Sequence, residues 1–499
     1  MDPSARRELL VRWLLAIGCF AVLIFFFSPP WGAFLTWQRV PEMGSLIETR
    51  RAASVLWQAD HLGATIPDPL HGAIQWRLLF PLIGHWLNLP AFALFGLADV
   101  GCVLALAYIV TVLRRAGLGW LETGLAATIL GSASWFFASV SWLGYYDSWV
   151  VLALLLVTFA RSSWPVWLAC CWAPWIDERF VIGAPLALWG RYLWQANADG
   201  AKQSLAQWRR EFSIAAGLVA AFVLVRLGLL SGYSGSKATI AGYLGGLKIG
   251  DTPPSRFLFG VWEGWRAGWV FVVGAVLLGW RNRPRAVGLA VGVVVVALVG
   301  LGTAQDFSRS MMFIAPAAVL GVVSMAGMAA PWARWTFRAG AVAALLLPAH
   351  LVMNDAVNPI FYLYHELASL QNPPAAIMPE LFELRAIQAM QGGNFDQAGA
   401  DLALAIKLAR DPTGPHQQRG IMLASQGHWS EAKQDFSAMV EFEPQNPDGW
   451  FLRAQAELVL GDAAASRTDM DQATSLGSEE WSRRPDVARF LTRLKASGR

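Results

Sequence analysis

Paired cysteines are missing from this chain. Its four cysteines, Cys19, Cys102, Cys170 and Cys171, lie inside apolar runs and never in Cys-x-x-Cys spacing. That excludes a disulfide framework and a thiol metal knot. Charge is scarce as well, 15% of residues against about 25% in ordinary soluble domains. There is no glycine-rich phosphate loop, no dinucleotide fingerprint, no Gly-x-Ser-x-Gly elbow and no His-Glu-x-x-His pair. Soluble nucleotide chemistry therefore has no support. The net charge is only +4, with no basic patch interleaved with aromatics, so nucleic acid is not an expected partner.

What is abundant is apolar sequence. Hydrophobic residues make up 55% of the chain and the mean hydropathy is +0.42, above what a water-facing domain tolerates. Apolar runs of near-spanning length occur at 9–28, 91–113, 121–140, 149–160, 164–175, 180–193, 214–230, 257–280, 286–302, 311–329 and 339–350. They predict about eleven crossings of a hydrocarbon core about 30 Å thick. No small-residue cleavage site follows 9–28, so it reads as a retained span rather than a signal peptide. The 149–160 and 164–175 runs are short for spans and come as a pair, which leaves the parity unchanged.

Arginine marks one set of run ends, with Arg6, Arg7, Arg12, Arg114, Arg115, Arg161, Arg209, Arg210, Arg283 and Arg338; carboxylates mark the other. The positive-inside rule puts the N-terminus in the cytoplasm. An odd span count puts the tail outside, as for an integral protein of a bacterial inner membrane with a periplasmic or extracytoplasmic C-terminal domain. Residues 31–77 then form a long outer loop. A helix over 43–60 is expected there, lying in the membrane interface with Glu48, Arg50 and Arg51 on its polar face. A second outer segment, 232–256, reads as a loop.

Four outer constellations carry candidate chemistry. Asp60-His61 and Asp68-Pro-Leu-His71, followed by Arg77, place two acids and two imidazoles within a dozen residues. That suits a general base or a metal, or an ordinary solvated loop. Tyr145-Tyr146-Asp147 is a short turn with an acid beside two rings. Asp177-Glu178-Arg179 and Asp306-Phe-Ser-Arg309 stand at helix starts, where acids also serve as caps. Within the runs, Asp99, Arg226, Glu263 and Arg266 are ionisable; Glu263 and Arg266 can pair locally, whereas Arg226 has no sequence-local partner.

The tail is periodic. Phe382…Ala386…Gly393-Asn-Phe395…Ala398…Ala405 recurs as Gly420…Gly427-His-Trp429…Ala432…Phe436, and again as Trp450…Ala454…Gly461…Met470…Ala473. The thirty-four-residue period, with small residues where helices touch, resembles the tetratricopeptide (TPR) repeat. Repeats near 379–412, 413–446 and 447–480, with a capping helix at 485–494 and a connector at 354–378, imply an α-solenoid that binds a protein partner. The expected fold class is thus all-α: a polytopic bundle over 1–353, followed by three repeats.

Taken together, the cytoplasmic N-terminus, the acid-bearing first outer loop, the acid in the next outer turn and the outer C-terminal domain resemble the GT-C superfamily of integral-membrane glycosyltransferases. The resemblance implies transfer of a sugar from a polyprenyl-phosphate carrier at the outer face, with or without a divalent metal ion. It implies catalytic acids at Asp60, Asp68 or Asp147, and phosphate binding by Arg77, Arg179 and Arg309. His61, His71, Tyr145, Tyr146, Asp177, Glu178 and Asp306 are further outer-face candidates. The implied partners are membrane lipid, the lipid-linked donor and a protein held by the repeats. The rival reading is a non-catalytic membrane anchor presenting a TPR scaffold.

Overall fold

Nearly every element of the chain is helical. The computed structural model describes residues 3–39, 47–64, 66, 75–198, 205–231, 252–278, 283–303, 306–328, 331–353, 356–360, 362–364, 367, 379–409 and 411–496. Two compact units divide the fold, one formed by Met1–Leu35 and Gly44–Ala368, the other by Thr36–Met43 and Ser369–Arg499.

The first unit begins with α1 (Pro3–Phe26), α2 (Trp31–Arg39) and α3 (Ile47–Asp60), and continues with α4 (Leu79–Leu87), α5 (Ala91–Arg115), α6 (Trp120–Gly131) and α7 (Ser134–Ser141). Next come α8 (Asp147–Phe159), α9 (Trp164–Trp172), α10 (Phe180–Ala198), α11 (Leu205–Ser231), α12 (Pro254–Trp265) and α13 (Trp269–Leu278). The last helices of the unit are α14 (Arg283–Thr303), α15 (Phe307–Ser310), α16 (Ala315–Ala326) and α17 (Pro331–Leu346). Among the described residues, five helical segments are long and apolar enough to cross a membrane, or six if the bent pair α6–α7 counts as one. This is an integral membrane protein by that measure.

The structure parts from the expected eleven runs where apolar sequence conceals helix ends. The run at 121–140 is broken between α6 and α7 by a 65° bend. The 149–160 and 164–175 runs become helices of 13 and 9 residues, and a 3₁₀ turn over Ala173–Trp175 ends the second. The run at 339–350 is the second half of a helix that already starts at Pro331 and stops at Leu346. Beyond it His350–Val352 pairs antiparallel with Val357–Pro359, so the fold is not wholly α.

Broken helices inside a bilayer must satisfy the carbonyls they free. At the α6–α7 bend, Trp135 Nε1 donates to Leu130 O at 2.9 Å and Arg266 Nη1 donates to Ser132 O at 3.2 Å. Arg266, wholly buried, also reaches Leu347 O at the end of α17. It does so from φ +47° at the end of α12. Glu263 Oε2 takes the backbone N–H of His350 at 3.1 Å and lies 3.8 Å from Arg266. These intramembrane charges tie helix ends together.

The second unit is three helix pairs. They are α18–α19 (Pro379–Gln391, Phe395–Leu408), α20–α21 (Thr413–Ser425, Trp429–Phe442) and α22–α23 (Pro447–Val459, Ala463–Leu476); α24 (Glu479–Ser482) and α25 (Pro485–Ala496) follow. Each pair turns on a glycine with positive φ, at Gly393, Gly427 and Gly461, a conformation glycine adopts without strain. Ala386, Ala398, Ala432 and Ala454 are wholly buried. A Cβ at Gly420 would lie 2.4 Å from the Phe436 ring, so the pairs close on small residues. Arg385 holds Asp401, Arg419 holds Asp435 and Arg453 holds Asp469, one such bridge in each pair at the same repeat position. Val487, Phe490 and Leu494 of α25 cover Phe451, Ala454 and Met470, sealing the last apolar face.

Candidate functional site

The site grows from two tight turns. After α7 the chain reverses at Gly144, whose φ is +83°. A Cβ there would lie 2.9 Å from Ala52 N, so α3 rests directly on the turn's backbone. The turn delivers Tyr145, Tyr146 and then Asp147, the first residue of α8. The second turn, between α9 and α10, delivers Asp177, Glu178 and Arg179. Between them stands Arg309 on the short helix α15.

These residues form one ionic network. Arg309 Nε and Nη2 donate to the two oxygens of Asp147, both at 2.7 Å, and its Nη1 reaches Asp306. Its Nη2 is 3.9 Å from Asp177, and its guanidinium lies 4.2 Å from the Tyr145 ring centre. Asp177 takes Arg179 at 2.7 Å and Arg77 at 2.9 Å. Glu178 takes Arg77 at 2.9 Å and 3.2 Å and Arg226 at 3.5 Å. The arginine without a sequence-local partner thus finds one across the fold. Burial opposes ionisation of Asp177, but Arg179 and Arg77 outweigh it and hold the carboxyl well below the usual range. Glu178 is lowered in the same way, with Arg77 and Arg226 overcoming burial.

Arg51 is the residue that sequence reasoning missed. The sequence pattern puts it on the polar face of an interfacial helix, yet it is 8% exposed, and Ala52 and Val55 beside it are buried too. Its Nε makes a long bond of 3.4 Å to Gly144 O and its guanidinium lies 5.1 Å from the Tyr145 ring centre. Among the described residues no carboxylate is within ion-pair distance of it. Burial, and then the neighbouring Arg77, lower its guanidinium to about 10. Among the described residues, five guanidinium groups (Arg51, Arg77, Arg179, Arg226, Arg309) gather with four carboxylates (Asp147, Asp177, Glu178, Asp306).

A small crevice of about 10 Å³, room for about one water molecule, lies beside Arg51, lined also by Gln58, Arg77, Phe80, Tyr146 and Ile176. Tyr146 stacks on Phe80 at 3.8 Å and donates to Leu94 O at 3.2 Å, which fixes one wall. Gln58 donates to Gln75 O at 2.8 Å, and its Oε1 is buried with no hydrogen-bond donor. Among the described residues, the crevice thus sets a cation with no carboxylate partner beside an amide oxygen with no donor.

Other candidates stand apart. Asp60 and His61 are exposed at the end of α3, and the His61 ring stacks on Trp57 at 4.8 Å. No contact joins them to the arginine network among the described residues. Asp68 and His71 lie outside the described residues, as do Glu42 and most of 232–256. Among the described residues no group of three His, Cys, Asp or Glu is placed to hold a metal ion. His85 and His350 are satisfied by Ala59 O and Glu263. No protein-family model and no curated protein matches this chain.

Proposed function

We propose that the chain is a membrane glycosyltransferase of the GT-C kind. In this reading it moves a sugar from a polyprenyl-phosphate donor to an acceptor at the extracytoplasmic face. The observation that supports it is the placing, side by side, of Arg51 with no carboxylate and Gln58 Oε1 with no donor among the described residues. A sugar phosphate carries what both lack: an anion for guanidinium groups, which bind it in charge-assisted bonds, and hydroxyl donors for the amide oxygen.

The chemistry follows from the network. Asp147 is occupied by Arg309 on both oxygens. A phosphate arriving beside Arg51 and Arg77 competes for Arg309, and the guanidinium that turns to it releases Asp147. The freed carboxylate takes the proton of the acceptor hydroxyl. The acceptor oxygen bonds to the sugar C1, and the C1–O bond to the carrier phosphate breaks. Arginines neutralise the charge left on the phosphate. Asp60 and Asp68 remain candidate bases from the outer loop. The N-terminus is cytoplasmic in this reading. The short apolar helices add to the five long segments to approach eleven crossings, and the helix pairs are TPR repeats that hold a protein partner or acceptor.

One observation favours the non-catalytic scaffold: every described carboxylate of the network is paired, as in a purely structural ionic core. The discriminating experiment compares membranes carrying the wild type and Asp147→Asn for discharge of a radiolabelled polyprenyl-phosphate hexose. Loss of discharge with normal expression supports the transferase, and equal discharge by both removes Asp147 from it.

A further inference from the structure

Away from the acidic network, a different group of arginines meets almost no acid. Arg12 on α1, Arg114 and Arg115 at the end of α5, and Arg161 just after α8 come from three parts of the chain. Arg12 bonds Glu8 at 2.7 Å, and Arg115 lies within electrostatic reach of both Arg161 and Arg12. Among the described residues Glu8 is the one carboxylate within ion-pair distance of these four. The Nε atoms of Arg12 and Arg114 and the hydroxyl of Tyr108 are shielded from solvent with no hydrogen-bond partner among the described residues. Arg114 is held in place by Leu118 O and by Trp120, whose ring centre is 3.9 Å away. Guanidinium N–H groups fixed without acceptors beside uncompensated like charge are a site missing its anion.

The surroundings say what carries that anion. α1 packs against α5 and α6, and at this end of the three helices Leu10, Leu14 and Leu121 are 59%, 59% and 58% exposed. Apolar side chains that open lie against lipid tails in a membrane helix, and basic side chains at the end of such a face sit at headgroup depth. We infer that Arg12, Arg114, Arg115 and Arg161 bind the phosphate headgroup of an anionic phospholipid, whose acyl chains lie along the exposed leucines of α1 and α6. This site is separate from the crevice at Arg51 and does not depend on the transferase reading.

The test uses the full-length protein purified in maltoside detergent, with tetraoleoyl cardiolipin as the probe and dioleoyl phosphatidylcholine and inorganic phosphate for comparison. Native mass spectra should retain cardiolipin on the wild type and not phosphatidylcholine, and cardiolipin should raise the thermal midpoint. The triple variant Arg12→Gln/Arg114→Gln/Arg115→Gln should bind it at least roughly tenfold more weakly, while Arg334→Gln/Arg338→Gln binds as the wild type does. Should the triple variant not fold, the exposed single changes Arg115→Gln and Arg161→Gln must each weaken retention. Unchanged retention in these variants overturns the site. An equal midpoint shift from inorganic phosphate alone overturns the lipid assignment.

Discussion

Arg309 and Asp147 stand 162 residues apart in the chain and meet through two parallel bonds of 2.7 Å, each side chain 3% exposed. The pair joins the turn after α7 to the start of α15. Removing one partner strands a buried charge, at a cost of about 3–5 kcal/mol. Arg309→Met should therefore lower the unfolding midpoint sharply, and Asp147→Leu/Arg309→Met should recover part of the loss, since Asp306 also loses its partner. A double variant no better than the single one would show that the two do not act as a pair.

Gly144 carries α3 on its backbone. Gly144→Ala meets both the positive φ and the 2.9 Å approach to Ala52 N, so it should cost about 1–3 kcal/mol. Limited proteolysis gives the readout: α3 should become cleavable in the variant before the rest of the unit. Protection equal to the wild type would mean that α3 docks by other contacts.

Asp177 sets an acid limit on the network. Its carboxyl is held below the unfolded value of about 3.9 by Arg179 and Arg77, against burial. A depressed carboxyl contributes stability that is fully present above its unfolded pKa and is lost as pH falls toward its folded pKa. The stability gap between the wild type and Asp177→Asn should be flat above about pH 5 and shrink below about pH 4. A gap that is constant down to pH 3 would place the stabilisation elsewhere.

In the tail, Ala432 is wholly buried among Phe436, Met439 and Ala456. Ala432→Trp overfills that contact and should cost about 1–3 kcal/mol. Hydrogen exchange in the full chain should rise in α20–α22 and stay unchanged in α5 and α8. Loosening in α5 and α8 as well would contradict a local packing effect.

The parts legible in the sequence were those with a local signature. Asp147, Asp177 and Arg309 stood out as charges at the ends of apolar runs, and the helix pairs as a period marked by Gly393, Gly427 and Gly461. Arg51 was not legible. Its helix reads as amphipathic with charge outward, and its burial depends on the backbone of Gly144, 93 residues away. The Arg226–Glu178 pair is hidden in the same way. The break between α6 and α7 left no mark, because apolar residues continue across it and the carbonyls are satisfied by Trp135 and a distant Arg266. Asp60 is a candidate by residue type alone, and its place at the exposed end of α3 is set by where that helix docks.

The central claim, that Arg51 and the arginines beside it bind the phosphate of a lipid-linked sugar, is tested most directly by binding of undecaprenyl monophosphate to the full-length protein in phosphatidylcholine nanodiscs, followed by isothermal titration. The wild type should bind saturably, Arg51→Gln should bind roughly tenfold or more weakly, since it removes a charge-assisted phosphate contact, and Asp60→Asn should leave affinity unchanged. Equal affinity of the wild type and Arg51→Gln, or no saturable binding by either, would contradict the account.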